Sequence, residues 1–278
     1  MLRTCKLVVF RWESFRIGSN KKIHFPTVAV ISKQFLERVR LKREGVPSFD
    51  QYPFNLDAVR VFDALEMDPR VTFFVGENGS GKSTLLEAIA VKWGFNAEGG
   101  SENFRFETRR SHSELHEHLV LSRGIRRPKT GFFLRAESFF NVATQIEEYG
   151  VVDSYGGVSL HEQSHGESFL SLVLHRFGPS GFYILDEPEA ALSPSRLLAL
   201  IVRIKSLADQ GCQFLIATHS PILMAFPGAT IYSLGEYGVE EVDFTETDHW
   251  RLTERFIRDP DSVLDQLLKD SDDDVGDS

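Results

Sequence analysis

Short apolar runs alternate with amphipathic segments along much of the chain. Three such runs occupy residues 71–75 (VTFFV), 182–186 (FYILD) and 213–218 (QFLIAT). The first two precede segments with helical character, which begin at Lys82 and Pro194, and the third precedes a turn that contains proline. Strands that are apolar on both faces and interleaved with helices are typical of a covered parallel sheet. The pattern therefore predicts an α/β fold with a mostly parallel core sheet and flanking helices.

Other stretches of the chain have different patterns. Apolar and basic residues alternate from Phe35 to Arg43, which predicts a half-exposed strand. Residues 1–34 have no clear period and are interpreted as an N-terminal extension or an antiparallel strand pair. We expect one large domain over residues 35–260, in which the more polar residues 94–157 form a small, partly helical inserted subdomain. A C-terminal helix and acidic tail are expected over residues 261–278.

The composition agrees with a globular protein that does not insert into a membrane. The chain has 278 residues, of which 42% are hydrophobic and 26% are charged. No apolar run approaches the ~20 residues that a membrane helix needs, and the first residues lack the features of a signal peptide. The two cysteines have no metal-ligand spacing, and their small number agrees with a reducing compartment. These observations predict a cytoplasmic location.

The formal net charge of −9 argues against a surface that is basic all over, although a local basic patch can exist on an acidic protein. The polar region, residues 94–157, contains arginines with phenylalanines between them. This mixture suits contact with the phosphates of DNA or RNA and stacking on their bases. A solvated insertion with a few core phenylalanines is the alternative, and both remain open. The residues concerned are Arg105, Arg109, Arg110, Arg123, Arg126 and Arg127, with Phe104, Phe106 and Phe132.

A glycine-rich segment follows the first apolar run and has the spacing of a phosphate-binding loop. Its residues are Gly76, Glu77, Asn78, Gly79, Ser80, Gly81, Lys82, Ser83 and Thr84. Glycines at this spacing let backbone N–H groups converge on phosphate at a helix N-terminus, where the helix dipole also favours anions. Lys82 would reach the β- and γ-phosphates of ATP, and the Ser83 hydroxyl would hold Mg²⁺.

The second and third apolar runs end in polar residues suited to phosphoryl chemistry. Asp186 and Glu187 close one run, and His219 follows the other. The carboxyl ends of parallel strands are where α/β sheets bind ligands. Asp186 would bind Mg²⁺, Glu187 would act as the general base for the attacking water, and His219 would contact the γ-phosphate.

The order of these motifs resembles the ATP-binding-cassette superfamily over roughly residues 35–250. Within that superfamily the chain is most similar to stand-alone ATPases of recombination repair, chromosome maintenance (SMC-like) and phage defence. The family's signature segment matches residues 163–167 (QSHGE), in which Ser164 and Gly166 are the important positions. An amphipathic helix over 169–177 is expected after it. The resemblance implies that these two residues complete the ATP site of a second subunit, so that a head-to-tail homodimer closes on ATP.

The chain departs from the family pattern at several places. Ser193 stands where transporter subunits usually have an aspartate, and Ser193-Pro194 is also a good helix start. No clear glutamine loop is present, and Glu137 or Gln145 could take that place. Tyr52 and Phe54 could each stack on adenine or belong to the core.

A formal match to the zinc-peptidase pattern His-Glu-x-x-His covers residues 161–165. That motif requires both imidazoles on one helical face. Glycines bracket the segment and no helical period spans it, so we do not expect zinc catalysis there. His112, His116 and His118, with Glu114 and Glu117, could also gather a metal, but a solvated polar helix face is the favoured interpretation.

The sequence therefore predicts an ATP hydrolase that acts as an ATP-gated switch on a nucleic acid or an effector protein, in DNA repair, genome maintenance or phage defence. The ATP-binding subunit of a membrane transporter is the alternative. The divergent signature and the missing aspartate at Ser193 argue against that alternative.

Overall fold

The computed structural model describes residues 10–17, 21–28, 34–101, 113–150, 153, 157 and 159–273. Eleven strands lie in these ranges. They are β1 (Phe10–Ile17), β2 (Lys21–Val28), β3 (Leu36–Leu41), β4 (Ala64–Glu66), β5 (Val71–Val75), β6 (Leu119–Arg123), β7 (Thr130–Arg135), β8 (Gly181–Asp186), β9 (Gln213–Ala217), β10 (Thr230–Gly235) and β11 (Gly238–Glu241).

The same ranges contain eight α-helices and several single 3₁₀ turns. The helices are α1 (Asp57–Val61), α2 (Lys82–Trp93), α3 (Phe139–Glu148), α4 (His165–Arg176), α5 (Pro194–Asp209), α6 (Pro221–Met224), α7 (Asp248–Arg258) and α8 (Pro260–Asp273). None of the helices in the described part of the chain is long and apolar enough to cross a membrane.

The central sheet has six strands in the order β11-β10-β5-β9-β8-β7. All neighbouring pairs are parallel except β10 and β11, which form an antiparallel hairpin. Every residue of β5, β8 and β9 is buried, which explains why these strands appear in the sequence as unbroken apolar runs. The prediction of a mostly parallel α/β sheet is confirmed.

Helices cover both faces of the central sheet and form two separate cores. Residues of α3, α4 and α5 pack on one face, where Phe169 and Leu172 of α4 belong to the same core as Phe214 and Ile216 of β9. On the opposite face α2 packs against the sheet and against β3, β4 and β6. The sheet therefore separates α2 from α4.

A three-stranded antiparallel sheet with the order β4-β3-β6 lies on the α2 side. The half-exposed strand expected between Phe35 and Arg43 is β3. Residues 94–157, interpreted from sequence as an insertion, contribute β6 to this small sheet and β7 to the edge of the central sheet, and α3 follows β7. β1 and β2 form an antiparallel pair, in agreement with the strand pair expected within residues 1–34.

The buried amide of Gln213 joins the two sheets. Its Oε1 accepts hydrogen bonds from the backbone N–H groups of Phe35 and Leu36 at 3.0 and 2.9 Å. Its Nε2 donates to the carbonyls of Leu36 and Asp68 at 2.8 and 2.9 Å. The fully buried side chain thus makes four hydrogen bonds to the backbone, and the groups it pairs are shielded from water by its burial.

We predict that Gln213→Leu destabilises the protein by about 3 kcal/mol or more, since it leaves several buried backbone groups unpaired at about 1–3 kcal/mol each. Gln210→Leu is the matched control, because Gln210 is exposed at the end of the preceding helix. Urea unfolding of both variants gives the comparison. Equal stability of the two variants would contradict a structural role for the Gln213 amide.

Candidate functional site

The predicted phosphate loop connects β5 to α2 and depends on glycine backbone conformations. Gly76, Gly79 and Gly81 have φ values of +144°, +83° and +96°. A Cβ atom at Gly76 would lie 2.2 Å from the carbonyl oxygen of Leu234, so only glycine fits there. Residues 77–79 are exposed at the tip of the loop. The loop thus has the strand, turn and helix order that its sequence predicted.

Lys82 begins α2, and its side chain folds back over the loop. Its Nζ donates to the carbonyl oxygens of Gly76 and Glu77 at 2.8 and 2.9 Å. Burial lowers the pKa of the Lys82 ammonium, while the carboxylates of Glu187 and Asp186 oppose that shift. The cation is therefore held within the loop and close to the acidic residues that end β8.

Asp186 ends β8 and is the buried acidic group of the site. Its Oδ1 accepts a hydrogen bond from Ser83 Oγ at 2.9 Å, and its Oδ2 lies 3.3 Å from Arg135 Nε. Burial raises the pKa of Asp186 to about 6, although Arg135 and Ser83 both act in the opposite direction. Arg135 also pairs with Glu87 of α2 at 2.7 Å. One guanidinium thus connects β7, β8 and α2.

Glu187 and His219 face each other at the ends of β8 and β9. The Glu187 backbone is in the left-handed region, with φ 49° and ψ 52°, and its N–H donates to the Ala217 carbonyl at 3.0 Å. A non-glycine residue in this region is strained, and such strain is concentrated at functional sites. Glu187 Oε1 lies 3.4 Å from His219 Nε2.

Another nearby carboxylate, that of Glu189, accepts hydrogen bonds from the residues that follow β9. Its Oε1 accepts a hydrogen bond from Thr218 Oγ1 at 2.8 Å and another from the backbone N–H of His219. The Thr218 hydroxyl in turn accepts from the Ser220 N–H at 3.0 Å. Glu189 therefore holds the segment that carries His219.

Several buried polar atoms at this edge have no hydrogen-bond partner among the described residues. Four of them belong to the site: Arg135 Nε and His219 Nε2, which each face a carboxylate at ion-pair distance, and Ser80 Oγ and Glu189 Oε2, which have no such partner. Buried polar groups are nearly always paired, so a cluster of unpaired ones is typical of a place where a polar ligand binds. The hydroxyl and carboxylate oxygens of Ser83 and Asp186 are also ligands that Mg²⁺ prefers. The residues present fit a nucleotide with its metal ion.

A cleft of about 560 Å³ adjoins the phosphate loop and contains one of the two aromatic residues considered for adenine. Tyr52 lines this cleft, with its hydroxyl 3.4 Å from Thr84 Oγ1. Phe54 is fully buried against Phe49 and His118 and is a core residue.

The two candidates for the glutamine-loop position differ in whether they line this cleft. Glu137 lines it together with Ser83 and Arg135. Gln145 lies further along α3, where it donates to Glu148 at 2.8 Å. Of the two, only Glu137 is placed beside the predicted metal ligands.

Ser164 precedes α4 as its N-cap and is exposed. Its N–H and Oγ both donate to Glu167 Oε2, at 3.1 and 2.6 Å, and these hydrogen bonds, with Arg196 nearby, lower the pKa of Glu167. A Cβ atom at Gly166 would lie 2.5 Å from Arg196 Nη1 and 2.8 Å from the Ala191 carbonyl oxygen. The helix begins earlier than the expected residue 169 because Ser164 and Glu167 form its start signal.

The zinc-peptidase pattern does not form a single helical face. His161 lies in a 3₁₀ turn, whereas His165 is the first residue of α4, and Gln163 between them has extended backbone. Within the described ranges no three His, Cys, Asp or Glu residues gather in a way that could hold a metal ion. His112 lies outside those ranges.

Three residues of the arginine and phenylalanine set have internal contacts. Arg123 stacks over the Trp93 ring at 4.2 Å and donates to its carbonyl, and Arg126 lies over Phe35 at 5.5 Å. Phe132 is fully buried, so it is a core residue and not a base-stacking one. Residues 104–110 lie outside the described residues.

Two family models match the chain. The model described as "AAA domain, putative AbiEii toxin, Type IV TA system" matches residues 117–225, and one described as "AAA domain" matches residues 40–137. Among curated proteins, the chain is similar to the galactose/methyl galactoside import ATP-binding protein MglA 2 of Photobacterium profundum. The identity is 23% over 184 residues, which cover 58% of this chain but only 36% of that relative.

Solved structures with a related shape include the SMC head domain from Thermotoga maritima and cbiO1 from Clostridium perfringens, part of the ABC transporter complex cbiONQ. The first is 19% identical with a TM-score of 0.41, covering 75% of this chain and 98% of that one. The second is 16% identical with a TM-score of 0.43, covering 85% and 99%.

The fold and the loop between β5 and α2 define a P-loop NTPase. The order of the motifs and the similarity to AAA and ATP-binding proteins support the sequence-based prediction of an ATPase that resembles the ATP-binding-cassette superfamily. Two residues at this edge had not been singled out from sequence. They are Arg135, which ends β7, and His249, whose Nε2 lies 3.0 Å from His219 Nδ1.

We predict that the stability advantage of Asp186→Asn over the wild type grows as the pH rises from about 4 to about 6 and then levels off. The folded-state pKa of about 6 lies above the ordinary aspartate value of 3.8. The wild type therefore binds an extra proton when folded and loses that stabilisation as the pH rises through this window. Denaturant unfolding in EDTA without nucleotide, from about pH 4.5 to about pH 8, measures the difference. A difference that does not change with pH would contradict the raised pKa.

Proposed function

We propose that the chain is a Mg²⁺-dependent ATP hydrolase that works as a homodimer, which closes on ATP and reopens after hydrolysis. The proposal rests on where the two sets of predicted site residues lie in the fold. The phosphate loop, Asp186, Glu187 and His219 meet at one edge of the sheet, whereas the signature residue Ser164 begins a helix on the other face from α2. The chain thus carries two partial sites.

ATP binding is assigned to the phosphate loop. The backbone N–H groups at the start of α2 would donate hydrogen bonds to the phosphates. The Lys82 ammonium would exchange its two carbonyl partners for phosphate oxygens. Ser83 and Asp186 would hold Mg²⁺, which when bound supplies positive charge to the phosphate oxygens. Tyr52, 61% exposed beside Thr84, is the residue placed to stack on adenine.

Glu187 is assigned as the general base because, within the described residues, its carboxylate has none of the hydrogen bonds that occupy the neighbouring carboxylates. Asp186 is bound by Ser83 and Arg135, and one oxygen of Glu189 is bound by Thr218 and His219. Glu187 is partly exposed, and its oxygen faces the His219 ring. A carboxylate with this freedom could accept a proton from water that attacks the γ-phosphate.

The dimer is supported by the position of Ser164. Its hydrogen-bond partners lie in its own helix and in α5, through Glu167 and Arg196. Ser164 and His165 are exposed at the N-terminus of α4, where the helix dipole favours an anion. A second copy could present its own ATP there, so that each site is completed in trans.

The biological role that we propose is an ATP-gated switch in phage defence, DNA repair or genome maintenance, acting in the cytoplasm on a nucleic acid or an effector protein. The similarity to the AbiEii-type domain model supports this role. The similarity to a sugar-import ATP-binding protein supports the alternative, a transporter subunit. Affinity purification of an ATP-locked variant separates the two: recovery of nucleic acid or a non-membrane protein favours the switch, and recovery of an integral membrane protein favours the transporter.

We predict that Glu187→Gln slows ATP hydrolysis by ~10² or more while ATP and Mg²⁺ still bind, because the variant loses the base and keeps the loop and Asp186. Unhydrolysed ATP should then stabilise the dimer by mass action. Size-exclusion chromatography should show a dimer with ATP and Mg²⁺ and a smaller species with ADP.

The control adds Ser164→Asp to Glu187→Gln. Aspartate also caps a helix, but its charge would repel the phosphate of the opposite subunit, so the ATP-dependent dimer should disappear while ATP still binds. Ser171→Asp, placed later on α4, should leave the dimer intact. Hydrolysis by Glu187→Gln at the wild-type rate would contradict the assigned base, and an assembly state that ignores nucleotide would contradict the switch.

A further inference from the structure

His249 reaches the catalytic edge from the C-terminal helix α7. Its Nε2 lies 3.0 Å from Nδ1 of His219, with the ring centroids 5.2 Å apart. On the far side of the His219 ring, Nε2 lies 3.4 Å from Glu187 Oε1. The three side chains therefore form a row from α7 to the end of β8.

The start of α7 is anchored, which fixes the position of His249. Thr247 is buried and caps the helix by accepting a hydrogen bond from the Trp250 N–H at 3.3 Å. The Trp250 ring packs on Phe244 with centroids 4.6 Å apart, and Phe244 packs on the core that contains α4 and α5. These contacts fix the first turn of α7, which carries His249.

The protonation of the two rings follows from their neighbours. A neutral imidazole has one N–H and one lone pair. His219 Nε2 faces a carboxylate oxygen, which favours a proton on that nitrogen, so Nδ1 carries the lone pair and must accept. His249 Nε2 must then be the donor.

The surroundings of His249 favour its neutral form. Burial and the neighbouring His219 lower the pKa of His249, and Lys82 acts in the same direction. Glu77 and Asp248 oppose the shift. A neutral ring has a single donor nitrogen, which gives the hydrogen bond to His219 a defined direction.

We propose that His249 is a positioning residue that donates from Nε2 to His219 Nδ1 and so holds the His219 N–H toward Glu187 and the γ-phosphate position. Helix α7 is then part of the catalytic edge. The role in hydrolysis rests on the proposed function, whereas the direction of the hydrogen bond does not.

Nitrogen-15 NMR of the imidazole rings at about pH 8 tests the direction, because protonated and unprotonated ring nitrogens have distinct shifts. Single His219→Gln and His249→Gln variants assign the signals. The expected spectrum has both rings protonated at Nε2 and unprotonated at Nδ1. A proton on Nδ1 of His219 would overturn the proposal, and this measurement holds even if the protein hydrolyses no ATP.

Steady-state kinetics test the consequence. His249→Ala should lower kcat by about tenfold or more with little change in KM, the scale on which hydrogen-bond partners of functional histidines act. His249→Gln, whose amide can donate, should recover part of the loss. Arg258→Ala, which changes an exposed residue of the same helix, should match the wild type. An unchanged kcat in His249→Ala, with the fold intact by circular dichroism, would contradict the positioning role.

Discussion

The site is organised around one buried carboxylate. Asp186 ends a fully buried strand, where an unpaired charge would be costly. It is compensated by the Ser83 hydroxyl from α2 and by the guanidinium of Arg135 from β7, which also pairs with Glu87. These contacts connect β7, β8 and α2. The contacts that stabilise the buried charge of Asp186 therefore also fix the distance between the phosphate loop and the acidic residues that end β8.

In the proposed mechanism, metal binding at Asp186 would act on the contacts between β7, β8 and α2. The pKa of Asp186 is raised to about 6 even with both partners, so the carboxylate is incompletely compensated. A divalent cation beside Ser83 would complete the compensation, and the free energy of metal binding would then act on the contacts between β7, β8 and α2. The opposite face of the sheet carries α4, so an ATP-dependent dimer would join two surfaces that each chain keeps apart.

Much of this arrangement could be predicted from sequence because its signals are local. The apolar runs of β5, β8 and β9 and the glycine spacing of the loop each lie within a short stretch of consecutive residues. Arg135 was missed although it ends an apolar strand, since only the register that places it opposite Asp186 reveals its partner. His249 gave no signal, because its approach to His219 depends on how α7 packs. Residues 94–157 were interpreted as an insertion from their polar composition, and they contain β6, whose last two residues are exposed.

If each ATP site is built from two chains, two variants that are inactive alone should recover activity when they are mixed. Lys82→Ala should disable the phosphate loop, and Ser164→Asp should disable the signature position. In a mixed dimer the intact loop of one chain meets the intact signature of the other. We predict that each variant alone hydrolyses little ATP and that the mixture regains about a quarter of the wild-type activity, if half of the dimers are mixed and each has one complete site. A mixture no more active than its separate components, with both variants folded and Ser164→Asp still able to bind ATP, would contradict the shared site.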